Sequence, residues 1–248
     1  MQRLLVLLFA VLAYSGFFGW FLYAICFLAE WSVPKTINSG PEEPLAASLL
    51  INLSLVLVFA LQHTVMARSG FKRWWKQFIP DAAERGVFVM ISALVLGLLL
   101  WQWRPLPQTL WNIQQPTLAA LLRGLSLTGA GIVLYATFLI DHWDLVGLRQ
   151  AWAYFRKREP VAPVFKEHAA YRLVRHPMMV GVLIWFWATP HMTWGHLLFA
   201  VSMTIYVVIG ICFEERGLLD ELGDDYADYR RRVPALIPRL WQGKPPQQ

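Results

Sequence analysis

RHPMMVGVLIWFWATPHMTWGHLLFAVSMTIYVVIGICFEE, from Arg175 to Glu215, is the stretch that decides the fold. Its apolar part, Met178–Phe213, is too long for one membrane crossing, which takes about 20 residues as a helix. Thr189-Pro190-His191 interrupts it, and proline lacks the backbone N–H that a helix interior needs. The segment therefore predicts a hairpin of two apolar helices. Its first limb, Met178 to Ala188, rises only about 16 Å as a helix, against a hydrocarbon core of about 30 Å. That limb either begins earlier, near Tyr171, or does not cross fully. Polar residues stand at both feet, Arg175-His176 at the start and Glu214-Glu215 at the return. An anchor alone has no use for charges so placed, and ionisable groups near membrane depth are functional candidates.

Upstream lie four further apolar runs, Leu4–Ala29, Leu45–Met66, Val87–Trp103 and Leu118–Ile140. Hydrophobic residues make up 57% of the 248 and charged ones only 15%, where a soluble domain carries about a quarter charged. The expected fold is all-α: a polytopic membrane protein with four transmembrane helices, a C-terminal helical hairpin and an amphipathic cytoplasmic tail helix. One domain covers 1–248, divided into a membrane part at 1–140 and a cofactor-binding hairpin and tail at 141–238. Thirteen Trp residues suit aromatic belts at the membrane interfaces. The first span is long and lacks the small-residue cleavage site of a signal peptide. Gly124, Gly129 and Gly131 fall inside a span, where small residues let helices approach closely. Gly243–Gln248 is expected to fray.

Lys and Arg number five in the 67–86 loop, seven in 141–177 and six in 214–248, against one each in 30–44 and 104–117. Positive charge marks the cytoplasmic side. Both termini are thus expected in the cytoplasm, and the net charge of +6 follows from topology, with no nucleic-acid-binding pattern beside it. Cys26 and Cys212 then lie on opposite sides of the membrane, so no disulfide joins them.

This orientation brings four polar clusters to one side: Gln62-His63, Asp141-His142-Trp143-Asp144 with Gly147, Arg149 and Gln150, Arg175-His176, and Glu214-Glu215. His191 and His196 go to the far tip. Each cluster also has a structural reading, as a helix end at the headgroups, an interface anchor, a positive-inside residue or a solvated terminus. Their coincidence favours a site. Two carboxylates near a helix C-terminus oppose the dipole and call for an Arg or a cationic ligand. Tyr226 and Tyr229 share a helix face with Leu218, Leu219 and Leu222, a stripe suited to packing as a lid on the hairpin mouth. No HExxH or CxxC motif is present, so no metal is expected. Nor is there a G-x-S-x-G nucleophile motif or a glycine-rich phosphate loop.

Arg175-His176-Pro177, Gly181, Glu214-Glu215-x-x-Leu218, Gly223, Tyr226, Tyr229, Val233 and Pro238 together resemble the isoprenylcysteine carboxyl methyltransferase and phospholipid methyltransferase superfamily of membrane enzymes. Phe59 to Arg68, Asp144-Leu145-x-Gly147-Leu148-Arg149-Gln150 and Tyr171 to Met179 are similar to the bacterial methanethiol S-methyltransferases, within the NnrU-like membrane family. Met179 stands where the carboxyl methyltransferases often have an aromatic residue. The resemblance runs from about residue 20 to residue 238. It implies S-adenosylmethionine (SAM) as cofactor, methanethiol as substrate, dimethyl sulfide as product, and a bacterial cytoplasmic membrane as location.

Under that resemblance the cofactor set is Tyr171, Arg175, His176, Pro177, Glu214, Glu215, Tyr226 and Tyr229. Arg175 or Arg172 would pair with the cofactor carboxylate, and only one of the two adjacent glutamates would touch it. Gln62 and Gln150 would meet the substrate. An alkyl thiol is a weaker acid than Cys, whose pKa is about 8.5, so its proton must be taken or its anion stabilised. The catalytic candidates are His142 or His63 as base, Asp144 as orienting carboxylate and Arg149 as positive field. Two other readings stand beside this one. One is a methyltransferase acting on a prenylcysteine carboxylate or a phospholipid. The other is a non-enzymatic NnrU-like membrane factor.

Overall fold

The computed structural model describes residues 1–159 and 169–238, so the expected fraying of Gly243–Gln248 lies outside the described residues. In chain order the helices are α1 (Gln2–Ala29), α2 (Leu45–Ala67), a short α3 (Ser69–Trp75) and α4 (Glu84–Gln102). Then come α5 (Pro116–Ile140), the short α6 (His142–Leu145) and α7 (Leu148–Phe155), α8 (Pro177–Trp187), α9 (Trp194–Leu222) and α10 (Asp224–Arg232). Five helices, α1, α2, α4, α5 and α9, are long and apolar enough to cross a membrane. The protein is an all-α polytopic membrane protein, with the four upstream spans where hydropathy put them.

The hairpin settles the question of its first limb. Pro177 occupies the first turn of α8, where its missing N–H is not needed and its fixed φ suits the helix. The helix then runs for 11 residues and stops before Thr189-Pro190. It does not begin near Tyr171, which lies in a separate 3-10 turn at Ala169–Arg172. A small antiparallel ribbon closes the tip, β1 (Thr109–Asn112) pairing with β2 (His191–Thr193). The 104–117 segment reads as a plain loop in sequence, because four residues are too few for strand alternation to register. Thr193 then caps α9, its side chain accepting from the His196 N–H at 3.2 Å.

α8 packs closely on α5 through glycine. A Cβ added at Gly129 would lie 2.5 Å from the Trp185 backbone nitrogen, and one at Gly181 would lie 2.7 Å from the Gly129 carbonyl oxygen. Gly124 and Gly131 face open space, so of the three glycines in this span only Gly129 makes the close approach. Since the obstacles are backbone atoms, Gly129→Leu cannot be absorbed by a rotamer change. We expect it to lower thermal stability in detergent by about 1–3 kcal/mol or more, with Gly131→Leu as the unchanged control.

Phe27, Leu99, Leu100, Trp103, Phe186 and Phe199 form the centre of the main core. At the basic end, α7 lies along α1, with Ala151 buried against Val6 and Ala10. Gly147, at φ 84, makes the turn into α7, and its Cα approaches the backbone of Gly86 so closely that a Cβ would sit 2.8 Å from that nitrogen. At the far end of the spans, Asn52 donates to the Arg104 carbonyl at 2.8 Å and accepts from the Arg104 N–H at 2.8 Å. Cys26 and Cys212 are free thiols.

Candidate active site

At the foot of the hairpin, Glu215 is buried and heavily paired. Arg175 donates to its Oε1 from Nε at 2.8 Å and from Nη2 at 2.5 Å. His176 Nε2 lies 3.0 Å from the same oxygen, and Arg230 Nε lies 3.5 Å from Oε2. The Arg175 and Glu215 side chains are each only 10% exposed. Burying a carboxylate this far is tolerable only with such partners. Arg175 also donates from Nη1 to the carbonyls of Val233 and Arg230. The backbone N–H groups of Arg175 and His176 donate to Pro234 and Ala235. Arg-His-Pro is therefore the seam that stitches the tail to the hairpin. The guanidinium of Arg175 is committed inside the protein rather than held out toward a cofactor carboxylate.

Glu214 points elsewhere, as neighbours on a helix must. Its side chain is half exposed, with Oε2 3.6 Å from His176 Nδ1, so the imidazole stands between the two glutamates. Gly210, Glu214 and Gly217 share one face of α9 by their spacing. Both glycines have open space where a Cβ would be, so neither crowds Glu214 along that face of the helix.

The tail folds back and docks on the hairpin foot. α9 ends at Gly223, whose φ of 55 lies in the left-handed region that glycine tolerates best, and the chain folds back as α10. Tyr226, Tyr229 and Val233 are buried against Leu218, Leu219 and Leu222. The Tyr229 hydroxyl donates to the Tyr171 carbonyl at 2.7 Å. Burial, with the negative charge of Glu214 and then Tyr229 beside it, holds the Tyr171 phenol far above its usual range. Burial and then the charge of Glu215 push Tyr226 up to about 12. Both phenols are neutral donors at physiological pH.

The fourth-span cluster is organised differently from expectation. His142 is buried and stacks on Phe138 at 4.3 Å between ring centroids. The Thr137 hydroxyl donates to the Leu134 carbonyl at 2.6 Å. It therefore accepts from His142 Nδ1–H, 2.8 Å away. His142 Nε2 is left to accept from the Tyr14 hydroxyl at 3.0 Å. Burial lowers the pKa of this imidazole, with the Asp141 charge pulling the other way. Asp144 does not orient it: its Oδ1 accepts from Gln150 Nε2 at 3.1 Å. Arg149 is ion-paired with Asp141. His142, Asp144 and Arg149 are thus held by partners in a junction between α1, α5 and α7, while Gln150 Oε1 is buried there without a partner among the described residues.

Gln62 and His63 are the opposite case. Gln62 Nε2 donates to Ser92 Oγ at 3.2 Å, but its Oε1 is buried without a partner among the described residues. His63 Nδ1 is likewise buried and unpartnered. The His63 ring sits among Phe88, Phe59 and Tyr206, at centroid distances of 4.9, 5.6 and 6.4 Å. Tyr206 lies on α9 four residues before Gly210, so the face of α9 that bears Glu214 continues by helical spacing to the ring that packs on His63. Eight residues separate Tyr206 from Glu214, about 12 Å of helix. Tyr206 and Gly210 are not apparent from motifs, although their positions eight and four residues before Glu214 are present in the sequence. Tyr14, 128 residues from His142, leaves no such signal. Among the described residues no group of three or more His, Cys, Asp or Glu could hold a metal ion.

Residues 51–237 match the family model described as NnrU protein. The chain is 49% identical to methanethiol S-methyltransferase 2 of Bradyrhizobium diazoefficiens, covering 96% of this chain and 92% of that protein. It is 44% identical to methanethiol S-methyltransferase of Mycobacterium tuberculosis over 96% of this chain and 98% of that one. With methanethiol S-methyltransferase of a Pseudomonas species it shares 47% identity, over 98% and 93%. No solved structure matches the chain.

Proposed function

The chain belongs to the NnrU family, and from that premise we propose that it is a SAM-dependent methanethiol S-methyltransferase, releasing dimethyl sulfide and S-adenosylhomocysteine. The observation that carries the reading is near full-length similarity, at 44–49% identity, to proteins bearing that name. The excess of Lys and Arg in the loops supports a cytoplasmic side for both termini and the site, in a bacterial inner membrane.

The residues fit SAM by their own chemistry. Glu214 offers a half-exposed carboxylate for the amino-acid ammonium or the ribose hydroxyls, beside the His176 ring. The open Cα positions of Gly210 and Gly217 leave room along α9. Tyr171 is a neutral phenol near Glu214, and Tyr226 and Tyr229 with their leucines form a cover. Arg175, Pro177 and Glu215 hold this arrangement together from behind. Bound there, SAM supplies an activated methyl group on a sulfonium sulfur.

The chain's own work is alignment, exclusion of water and removal of one proton. His63, whose Nδ1 is buried without a partner among the described residues, accepts the thiol proton. Gln62, bonded to Ser92 on the same α4 that carries Phe88, lines the substrate side of this contact. Phe59, Phe88 and Tyr206 keep water from the thiolate so formed. His142, whose two nitrogens are taken by Thr137 and Tyr14, acts as scaffold.

Glu214 tests the cofactor half of this reading. Glu214→Gln removes one half-exposed charge and leaves the Glu215 seam whole, so the fold is kept. S-adenosylhomocysteine affinity, measured by calorimetric titration, is expected to fall about 10–100-fold, the scale of one charge-assisted hydrogen bond of 1.5–3 kcal/mol. Unchanged affinity would remove Glu214 from the cofactor site.

A further inference from the structure

At the end of the spans opposite the basic loops lies a cavity of about 400 Å³, bounded by the end of α1, by α5 and by the hairpin tip. His196, which lines it, is 1% exposed. Its Nε2 lies 2.9 Å from the Phe186 carbonyl oxygen. A carbonyl only accepts, so that nitrogen carries the proton and Nδ1 holds a lone pair. No donor among the described residues reaches it, and a buried acceptor without a donor is destabilising. Glu30, on the same wall, stands at φ 56, a left-handed conformation uncommon outside glycine, Asn and Asp. Its carboxylate lies 2.8 Å from His191 Nδ1. Arg123 reaches the cavity from α5 and makes no ion pair among the described residues. Leu28, Leu127 and Trp185 complete an apolar side.

We propose that this cavity binds the headgroup of an ethanolamine phospholipid from the leaflet opposite the basic loops. A primary ammonium carries N–H donors for the lone pair of His196 and for the Glu30 carboxylate together. The adjoining phosphate meets the guanidinium of Arg123, which has no ion pair among the described residues. An acyl chain leaves along Leu28 and Leu127, on two neighbouring spans. Choline is quaternary and has no N–H for His196. A glycerol headgroup has hydroxyl donors but no cation for Glu30.

The test is thermal unfolding of the purified full chain in neutral detergent, with phosphatidylethanolamine, phosphatidylcholine or phosphatidylglycerol added at equal mole fraction. The ethanolamine lipid is expected to raise Tm by about 5 °C at roughly a hundredfold excess over Kd, and the other two by less than half of that. Arg123→Gln changes an exposed side chain, and Glu30→Gln keeps its shape. Each is expected to fold and to lose most of the ethanolamine increment. Equal increments for the three lipids, or an undiminished ethanolamine increment in either variant, would overturn the proposal.

Discussion

His63→Gln is expected to lower kcat for dimethyl sulfide formation about 10²–10⁴-fold, the usual contribution of a positioned base, with S-adenosylhomocysteine affinity within twofold of wild type. His63 carries a buried nitrogen without a partner among the described residues and touches Tyr206, on the helix that bears Glu214. His142→Gln is expected to cost less than tenfold, because both nitrogens of His142 already have partners. A pH series separates a base from a packing residue. Free thiol ionises by itself as pH approaches its pKa, above the Cys value of about 8.5. The deficit of His63→Gln should therefore shrink about tenfold per pH unit between 7 and 9. A deficit independent of pH would mean that His63 only shapes the pocket.

Arg175→Met should produce the largest loss of stability. It leaves Glu215 buried with the His176 ring and the longer contact to Arg230, and it strips the Val233 and Arg230 carbonyls of their donor. Breaking a buried pair from one side is worth about 3–5 kcal/mol, or a Tm fall of about 10 °C for a chain of this size. Proteolysis should then cut first within the tail that Arg175 holds. The pair of changes Arg175→Met and Glu215→Met removes both charges, and should recover part of that loss. If the double variant is no better than the sum of the singles, the pairing is not what holds the seam.

The spans were legible because hydropathy over twenty residues is a strong, local signal. So was the hairpin, since one proline in an overlong apolar run admits few alternatives. The two-residue logic of Glu214 and Glu215 was also readable, because adjacent helix positions diverge by geometry alone. The roles of Arg175 and His142 were not. Arg175 is defined by carbonyls at 230 and 233, and His142 by the hydroxyl of Tyr14, and such long-range partners leave no periodicity in a single sequence. The choice between His142 and His63 rests likewise on which imidazole is already satisfied, a property of packing and not of spacing. Asp144 and Gln150 read as site residues because they flank His142, yet they bond to each other. The glycine-flanked face around Glu214 was half legible: its spacing is in the sequence, but the open space above Gly210 and Gly217 is not.

The measurement that bears most directly on the account is headspace gas analysis over the purified protein incubated with SAM and methanethiol. Dimethyl sulfide is expected in one-to-one yield with S-adenosylhomocysteine, and to be lost in His63→Gln at pH 7. Tight S-adenosylhomocysteine binding with no dimethyl sulfide formed from methanethiol would contradict it.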